Sequence, residues 1–456
     1  PKGGAAMGDQ LRERIDTSPM SSFQWSAIAI CVLLNVLDGF DVLVMSFTAT
    51  GVSGEWGLSA SQLGLLLSAG LVGMALGSMF VAPRADRIGR RPVILLCLVL
   101  SSSGMFLSTL SQTPLQLGLT RVLTGIGIGG IFASANVIAA EYANARWRGL
   151  AVSLNATGYA IGATVGGIVA AVLQESSGWR SVFLVGAVGT ALLIPAVLLR
   201  LPESLDFLAS RRSAGALERL NRLLAAMGKP GVEAAPVGSE PVVRRSRVAQ
   251  LASPAMRRTT ILTWISFFTV MFAFYFVTSW TPKLLVEAGL STTQGVTGGV
   301  LLNLGGIFGT VLLGFLATRF ALRNVLVAYT AVTALLLVLF VPAMSVLVAA
   351  FGVGALIGVF INGSVAGLYA LTVSAYPTSI RTTGLGWGMG IGRVGAILAP
   401  IVIGWFLDGG LSPSQVYLVV AVVLAIGVLA MRGMRTTPVV EVVPTPPRVA
   451  KDSAVH

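Results

Sequence analysis

Apolar stretches recur along almost the whole chain and are separated by short polar segments. Each stretch is long enough to cross a hydrocarbon layer of roughly 30 Å as a helix, which takes about 20 residues. Core helices of a large soluble protein could imitate two or three such stretches, but not twelve, so we predict an all-α membrane protein. The pattern predicts twelve spanning helices, over residues 24–50, 60–82, 93–112, 115–140, 149–173, 181–199, 259–281, 294–317, 325–341, 346–374, 384–407 and 414–431.

The basic residues predict how these helices are oriented in the lipid bilayer. If both termini are cytoplasmic, 27 of the 31 Lys and Arg residues fall in cytoplasmic segments, and only Arg180 and Lys283 fall in outer loops. This asymmetry follows the positive-inside rule. The formal net charge of +13 is therefore explained by topology, and no nucleic-acid partner is predicted.

The longest segment between predicted helices lies in the middle of the chain, and the helices on its two sides resemble each other. EYANARWRG (141–149) aligns with AYPTSIRTTG (375–384). Duplicated membrane domains of this kind are typical of alternating-access transporters. We therefore predict two pseudo-symmetric six-helix halves at 23–200 and 259–432, a cytoplasmic linker at 201–258, a cytoplasmic tail at 1–22 and a disordered cytoplasmic tail at 433–456.

Four ionisable residues fall inside predicted helices, where each costs roughly 2.5–3.5 kcal/mol to insert. Asp38 and Asp41 lie in helix 1, Arg121 in the outer third of helix 4 and Arg393 near the middle of helix 11. The helical rise places Asp41 near the depth of Arg121, and Asp38 level with Arg393. We expect Asp41 and Arg121 to lie close together, and Arg393 to bind a substrate carboxylate with two hydrogen bonds. The alternative is that all four form structural ion pairs.

The loop after helix 2 carries a recognisable motif. APRADRIGRRP (82–92) resembles the signature loop of the major facilitator superfamily, and the matching residues are Asp86, Arg87, Gly89, Arg90 and Arg91. RVLTGIGIGG (121–130) is similar to the helix-4 pattern of the superfamily. The resemblance covers 24–432 and implies the twelve-helix facilitator fold.

Further motifs narrow the resemblance. DGFD in helix 1, LPESLDFL after helix 6, YPTSIRTTG after helix 10 and GIGRVGAILAP in helix 11 together resemble the aromatic acid:proton symporters. This implies proton-coupled uptake of hydroxybenzoates and related ring carboxylates, with Asp38 or Asp41 carrying the proton and Arg121 beside them. Ala163 stands where the proton antiporters of the superfamily have a helix-5 proline, which favours symport.

The same resemblance implies gating residues at the cytoplasmic helix ends. Asp86 is expected to meet Arg90 and the positive N-terminal end of helix 11 near Gly384. In the family this cluster stabilises the outward-open state. The other predicted gating residues are Arg87, Gly89, Arg91, Glu141, Arg146 and Arg381. The alternative is a solvated loop that only sets topology.

Polar and aromatic residues inside the predicted helices are candidates for contact with a substrate. Phe272 and Tyr275 share one face of helix 7 and could stack on a ring, although such aromatic runs more often face lipid. The other candidates are Asn35, Asn155, Tyr159, Asn303, Asn362 and Tyr369. The asparagines could instead bond one helix to another.

No cofactor, metal site or enzymatic chemistry is predicted. The single histidine is His456, and both cysteines, Cys31 and Cys97, fall within predicted helices. We predict a transporter of the bacterial inner membrane, functional as a monomer, that takes up a small aromatic carboxylate together with protons. The alternatives are a sugar-type porter, a drug:proton antiporter, and a membrane sensor that binds aromatic acids without moving them.

Overall fold

Twelve long helices make up most of the fold. The computed structural model describes residues 12–210, 214–232, 247–377 and 380–434, and in this part of the chain twelve helices are long and apolar enough to cross a membrane. The predicted number of spanning helices is thereby confirmed. They are α1 (Ser22–Trp56), α2 (Ala60–Ile88), α3 (Arg90–Thr109), α4 (Pro114–Tyr142), α5 (Ala145–Ser177), α6 (Trp179–Arg200), α7 (Arg257–Glu287), α8 (Thr292–Arg319), α9 (Leu322–Ala343), α10 (Leu347–Ala375), α11 (Arg381–Asp408) and α12 (Pro413–Gly433).

The predicted linker contains short helices. They lie at Leu205–Ser210, Ala214–Ala226 and Arg247–Leu251. Gly228 has a φ of 72° and turns the chain after the second of them. The predictions for residues 1–11, 211–213, 233–246 and 435–456 lie outside the described residues.

Local sequence determines where α1 begins and ends. The Ser21 side chain accepts a hydrogen bond from the backbone N–H of Gln24, whose own side chain bonds back to Ser21, so two backbone donors without a helical partner are satisfied. The helix continues past the predicted residue 50 because polar residues lower the hydropathy there without breaking the helix. Gly57, with a φ of 58°, ends it after Trp56.

Equivalent helices pack in the same way in the two halves. α1 packs on α5 and α7 on α11, while α2 packs on α4 and α8 on α10. A Cβ on Gly162 of α5 would overlap the carbonyl oxygen of Val36 in α1, and one on Gly309 of α8 would overlap that of Val359 in α10. Glycine at such crossings lets backbones approach closely. The packing thus follows the internal repeat of the sequence.

The two halves meet at one end of the helix bundle. We call the end that carries residues 12–21 and the segment between α6 and α7 the linker end, and the opposite end the far end. At the far end Ser46 in α1 donates to two backbone carbonyls of α7, at 2.8 Å each, and Lys283 in α7 donates to Ser53 in α1 at 3.0 Å. α2 packs on α11 and α5 on α8 across the same boundary. These contacts close the far end between the halves.

Candidate functional site

A cavity of about 280 Å³ lies between the two halves. Most of its wall is apolar and includes methionine and phenylalanine side chains from both halves. Ala156 and Met389, which also line it, are exposed to solvent, so the cavity is open to the linker end while the far end is closed. Its polar lining residues are Asp38 and Tyr159 from the first half, and Tyr275, Asn362, Tyr369 and Arg393 from the second.

Opposite charges face this cavity from opposite halves. Asp38 on α1 is 3% exposed, and its Oδ2 atom is buried without a hydrogen-bond partner. Arg393 on α11 lies close enough for its charge to act on the three tyrosine hydroxyls of the cavity. Tyr159 is within electrostatic range of both Asp38 and Arg393. The arrangement offers an anion one guanidinium, several hydroxyl donors and an apolar wall.

The second buried acid, Asp41, lies beside Arg121 as expected, but the contact differs from a side-chain ion pair. Arg121 Nη2 donates to the backbone carbonyl oxygen of Asp41 at 2.5 Å. Its other contacts are the Met105 sulfur at 2.9 Å and the ring of Phe183, whose centroid is 5.5 Å away. The Asp41 Oδ1 atom is buried without a partner. In a helix, side chains lean toward the N-terminus whereas carbonyl groups point toward the C-terminus. Arg121 therefore binds the backbone carbonyl of Asp41 and not its carboxylate.

Some sequence-predicted substrate residues lie away from the cavity wall. Phe272 stacks on Phe268 with ring centroids 6.0 Å apart. Asn303 donates to a carbonyl of its own helix at 2.8 Å. Asn35 and Asn155 are hydrogen-bonded to each other at 2.6 Å, which joins α1 to α5. Of the predicted set, the structure brings Tyr159, Tyr275, Asn362, Tyr369 and Arg393 to the cavity wall.

The signature loop between α2 and α3 is bound to the start of the linker. Arg90 lies 3.6 Å from the Asp86 carboxylate and 3.9 Å from that of Glu141. Glu141 also accepts hydrogen bonds from the Ser204 hydroxyl at 3.0 Å and from the backbone N–H of Leu205 at 2.9 Å. The cluster thus joins α2, α3, α4 and the linker within the first half. The contact predicted between Asp86 and the start of α11 stays a prediction.

Glu203 completes this cluster and was not among the predicted site residues. Its Oε1 atom accepts hydrogen bonds from the backbone N–H groups of Arg90 at 2.7 Å and Arg91 at 3.2 Å, at the start of α3. Gly89, with a φ of 106°, lies directly against this carboxylate, which a Cβ would overlap. The signal was present as the acidic residue of LPESLDFL, but sequence spacing alone did not reveal its partners.

The remaining predicted gating residues are spread over the linker end. Arg87 is exposed, the guanidinium of Arg146 lies 5.2 Å from the ring centroid of Trp147, and Arg381 begins α11. The described N-terminal segment supplies a further cation, because Arg12 donates to three carbonyls at the C-terminal end of α4. Burial lowers the pKa of the Arg12 guanidinium, and the charge of Arg148 adds to this effect.

These features define a class of protein. Twelve spanning helices in two similar halves, closed at one end around a central cavity that is open at the other, are the architecture of a multi-pass membrane transporter. The chain belongs to the Major Facilitator Superfamily, whose family model matches residues 29–321. It is therefore a transporter of this superfamily and not an enzyme.

Named relatives match almost the whole chain. The chain is 33% identical over 442 residues to a gallate transporter of Pseudomonas putida, covering 94% of this chain and 97% of that protein. It is 31% identical over 426 residues to the 4-hydroxybenzoate transporter PcaK of Pseudomonas aeruginosa, covering 92% and 95%.

Two solved structures share the fold at low sequence identity. A bacterial homologue of the human lysosomal transporter Spinster, in an inward-facing and unoccupied conformation, matches with a TM-score of 0.73 at 19% identity, over 92% of this chain and all of that one. The xylose transporter XylE from E. coli, in a partially occluded inward-open conformation, matches with a TM-score of 0.70 at 18% identity, over 90% and 98%. At such identities the likeness concerns the fold alone.

Proposed function

We propose that this protein couples inward proton movement to the uptake of a small aromatic carboxylate by alternating access. One observation carries the proposal: Asp38 and Arg393, from opposite halves, line the same central cavity. The names of the relatives, transporters of gallate and 4-hydroxybenzoate, support the substrate class.

In this proposal Arg393 binds the substrate carboxylate. A planar guanidinium can donate two parallel hydrogen bonds to a carboxylate, which gives both strength and orientation. The ring would then lie against the apolar wall, where Tyr275 and Tyr369 offer edges, faces and hydroxyl donors. Asn362, on the wall of the same cavity, is a further polar partner.

Proton coupling follows from competition for Arg393. An ionised Asp38 and a substrate carboxylate would both be attracted to the one guanidinium of the cavity, and two anions in a desolvated site repel each other. A substrate anion therefore binds best when Asp38 is protonated. Asp41, about one turn farther along α1, and Arg121 on α4 are proposed to tune this proton, because both are buried and Arg121 donates to the backbone carbonyl of Asp41.

The proposal also assigns a direction to the molecule. The linker end is cytoplasmic, because it carries most of the basic residues of the chain, and the membrane is the inner membrane of a bacterium. The two six-helix halves would rock about the cavity as units of one functional monomer. Asp86, Arg87, Gly89, Arg90, Arg91, Glu141, Arg146 and Arg381 are proposed as the gating set of the cytoplasmic side.

Reconstitution in liposomes tests the proposal. Liposomes loaded with unlabelled 4-hydroxybenzoate should take up the labelled acid by counterflow, and an inward proton gradient should drive its accumulation in liposomes that start empty. Saturable binding without counterflow would indicate a sensor. Counterflow of xylose or of a cationic dye in place of the acid would indicate a sugar porter or a drug antiporter. Counterflow without proton-driven accumulation would refute the coupling.

A further inference from the structure

Three asparagines form a chain of hydrogen bonds through the first half. Asn136 on α4 donates through Nδ2 to the Phe132 carbonyl oxygen at 2.9 Å. Asn155 on α5 donates to Asn136 Oδ1 at 2.7 Å. Asn35 on α1 donates to Asn155 Oδ1 at 2.6 Å and to the Cys31 carbonyl oxygen at 3.2 Å. This hydrogen-bond chain runs from the half-buried Asn136 to the fully buried Asn35.

The hydrogen bonds between these three asparagines have a fixed direction. The backbone carbonyl oxygens of Phe132 and Cys31, one at each end, can only accept hydrogen bonds, so amide nitrogens must face them. Turning any one of the three amides over would place oxygen against oxygen or nitrogen against nitrogen. Both N–H groups of Asn35 therefore have assigned acceptors. Its Oδ1 atom is left as a buried acceptor without a partner.

The next polar group along α1 is the carboxyl of Asp38, which also has a buried oxygen, Oδ2, without a partner. Residues three apart on a helix are neighbours on its surface, and helical side chains lean toward the N-terminus, so the Asp38 carboxyl leans toward Asn35. Two buried acceptors three residues apart on α1 thus lack a donor, which is unfavourable. A proton on Asp38 supplies it, directly or through one water molecule.

We propose that Asn136, Asn155 and Asn35 are positioning residues that hold the Asn35 side-chain oxygen toward Asp38 and thereby stabilise the protonated form of its carboxyl. This inference rests on the proposed role of Asp38 as a proton carrier. Arg393, on the wall of the same cavity, favours the ionised form, whereas the Asn35 oxygen favours the protonated one, so that both forms remain accessible during a transport cycle. The other titratable and charged groups around Asp38 fall into two sets. Asp41, Cys97 and Tyr159 interact with it electrostatically. Tyr275, Tyr369 and Arg393 line the same cavity, and Arg121 lines the neighbouring one.

The experiment measures the protonation of Asp38 directly, in the ligand-free protein reconstituted in lipid. Infrared difference spectra recorded over a pH series contain the stretch of a protonated carboxyl, and the band lost in Asp38→Asn belongs to Asp38. In Asn35→Leu, which removes the acceptor, the midpoint of that band should fall by at least one pH unit, a tenfold loss of proton affinity. In Asn136→Ala it should fall by a smaller amount, because the Asn155 amide is then free to turn over.

Thr333→Val is the matched control. Thr333 is a fully buried residue of α9 that donates to a carbonyl of its own helix. This variant therefore removes a buried polar group without affecting the three asparagines, and the midpoint of the Asp38 band should not move. If Asn35→Leu fails to fold, Asn136→Ala, at the half-buried end of the hydrogen-bond chain, decides. An unchanged midpoint in the folded asparagine variants would overturn this inference and leave the proposed function intact. An Asp38 band that never appears would overturn Asp38 as the proton carrier, and the proposed coupling with it.

Discussion

Arg393 gives the most specific prediction, because its proposed contact with the substrate carboxylate can be tested by one substitution. Arg393→Lys keeps the positive charge but loses the planar pair of donors. The affinity for 4-hydroxybenzoate should fall by about 1.5–3 kcal/mol, the range for a hydrogen bond to a charged group. That loss corresponds to about a ten- to a hundredfold rise in Kd, measurable by titration calorimetry on the purified protein.

The ligand provides the control for this variant. The uncharged amide of the same ring acid never needed the two donors, so its affinity should change far less in Arg393→Lys. Equal losses for acid and amide would mean that Arg393 shapes the protein and does not hold the carboxylate. Arg319→Lys, at the linker end of α8 where the guanidinium lies 5.4 Å from the Phe315 ring centroid, should leave both affinities unchanged.

Neutralising either acid of α1 should abolish proton-driven accumulation. Asp38→Asn mimics the protonated carboxyl in the cavity, so proton-driven accumulation should disappear while substrate exchange without a gradient survives, because a permanently neutral carrier can still reorient when loaded. Asp41→Asn should also abolish accumulation, since the Asp41 carboxyl is buried next to the backbone carbonyl that binds Arg121. Uptake and exchange assays in the same liposomes separate the two activities. The carboxylates are structural if both variants still concentrate substrate.

At the scale of helices, the sequence predicted well which segments cross the membrane. It predicted less well which face of each helix points to the cavity. In α7 most positions from 264 to 280 are apolar or aromatic, so the hydropathy pattern carries little information about which face of the helix points to the cavity. Tyr275 reached the cavity as expected, but Phe274 lines it in place of Phe272. Packing of α7 on α11 and α12 selects the face, and that contact cannot be read from one sequence.

Polar residues show the same limit. The intramembrane position of Asp38 and Arg393 followed from the apolar sequence around them, because buried charges in a spanning helix usually face a cavity. Asn35 and Asn155 had two open interpretations, and their partners on other helices decide between them. Glu203 lies outside the spanning helices, where hydropathy gives no guidance, and its contacts with α3 depend on how the linker folds back.

The signature loop allows a prediction about gating. Asp86→Asn should lower the transport rate while substrate affinity stays within a few-fold, because Asp86 lies at the linker end of α2, away from the cavity, and acts on the balance between states. Its side chain is 75% exposed and 3.6 Å from Arg90, so the variant should lose no more than about 1 kcal/mol of stability. Parallel binding and uptake measurements check this. Affinity lost in proportion to transport would contradict it.

Glu203 should matter more for stability than Asp86. Its carboxylate accepts hydrogen bonds from two backbone N–H groups at the start of α3, and that helix start has no side-chain cap of its own. Glu203→Ala should therefore destabilise the first half by about 1.5–3 kcal/mol, as for hydrogen bonds to a charged group. Thermal unfolding in detergent, compared with Asp86→Asn, measures the difference. Equal melting temperatures for the two variants would show that the linker does not stabilise α3.

For the whole molecule, alternating access requires the far-end contacts between the halves to separate. The Asp408 carboxylate at the end of α11 accepts hydrogen bonds from the backbone N–H groups of Ala60 at 2.9 Å and Ser61 at 2.8 Å, at the start of α2. A carboxylate is stabilising at a helix N-terminus, so this contact favours the state with the far end closed. Asp408→Ala should raise the population of states with the far end open, by about two- to fivefold for an exposed contact.

A cysteine placed between the halves reports this population. Val300 on α8 is 8% exposed and lies against Gly167 of α5, so Val300→Cys should react with a membrane-impermeant thiol reagent only when the far end opens. Adding Asp408→Ala should raise that reaction rate two- to fivefold, whereas Glu55→Ala should not, because Glu55 bonds Trp179 and Arg180 within the first half. An unchanged rate, or an equal rise with Glu55→Ala, would mean that apolar packing alone closes the far end.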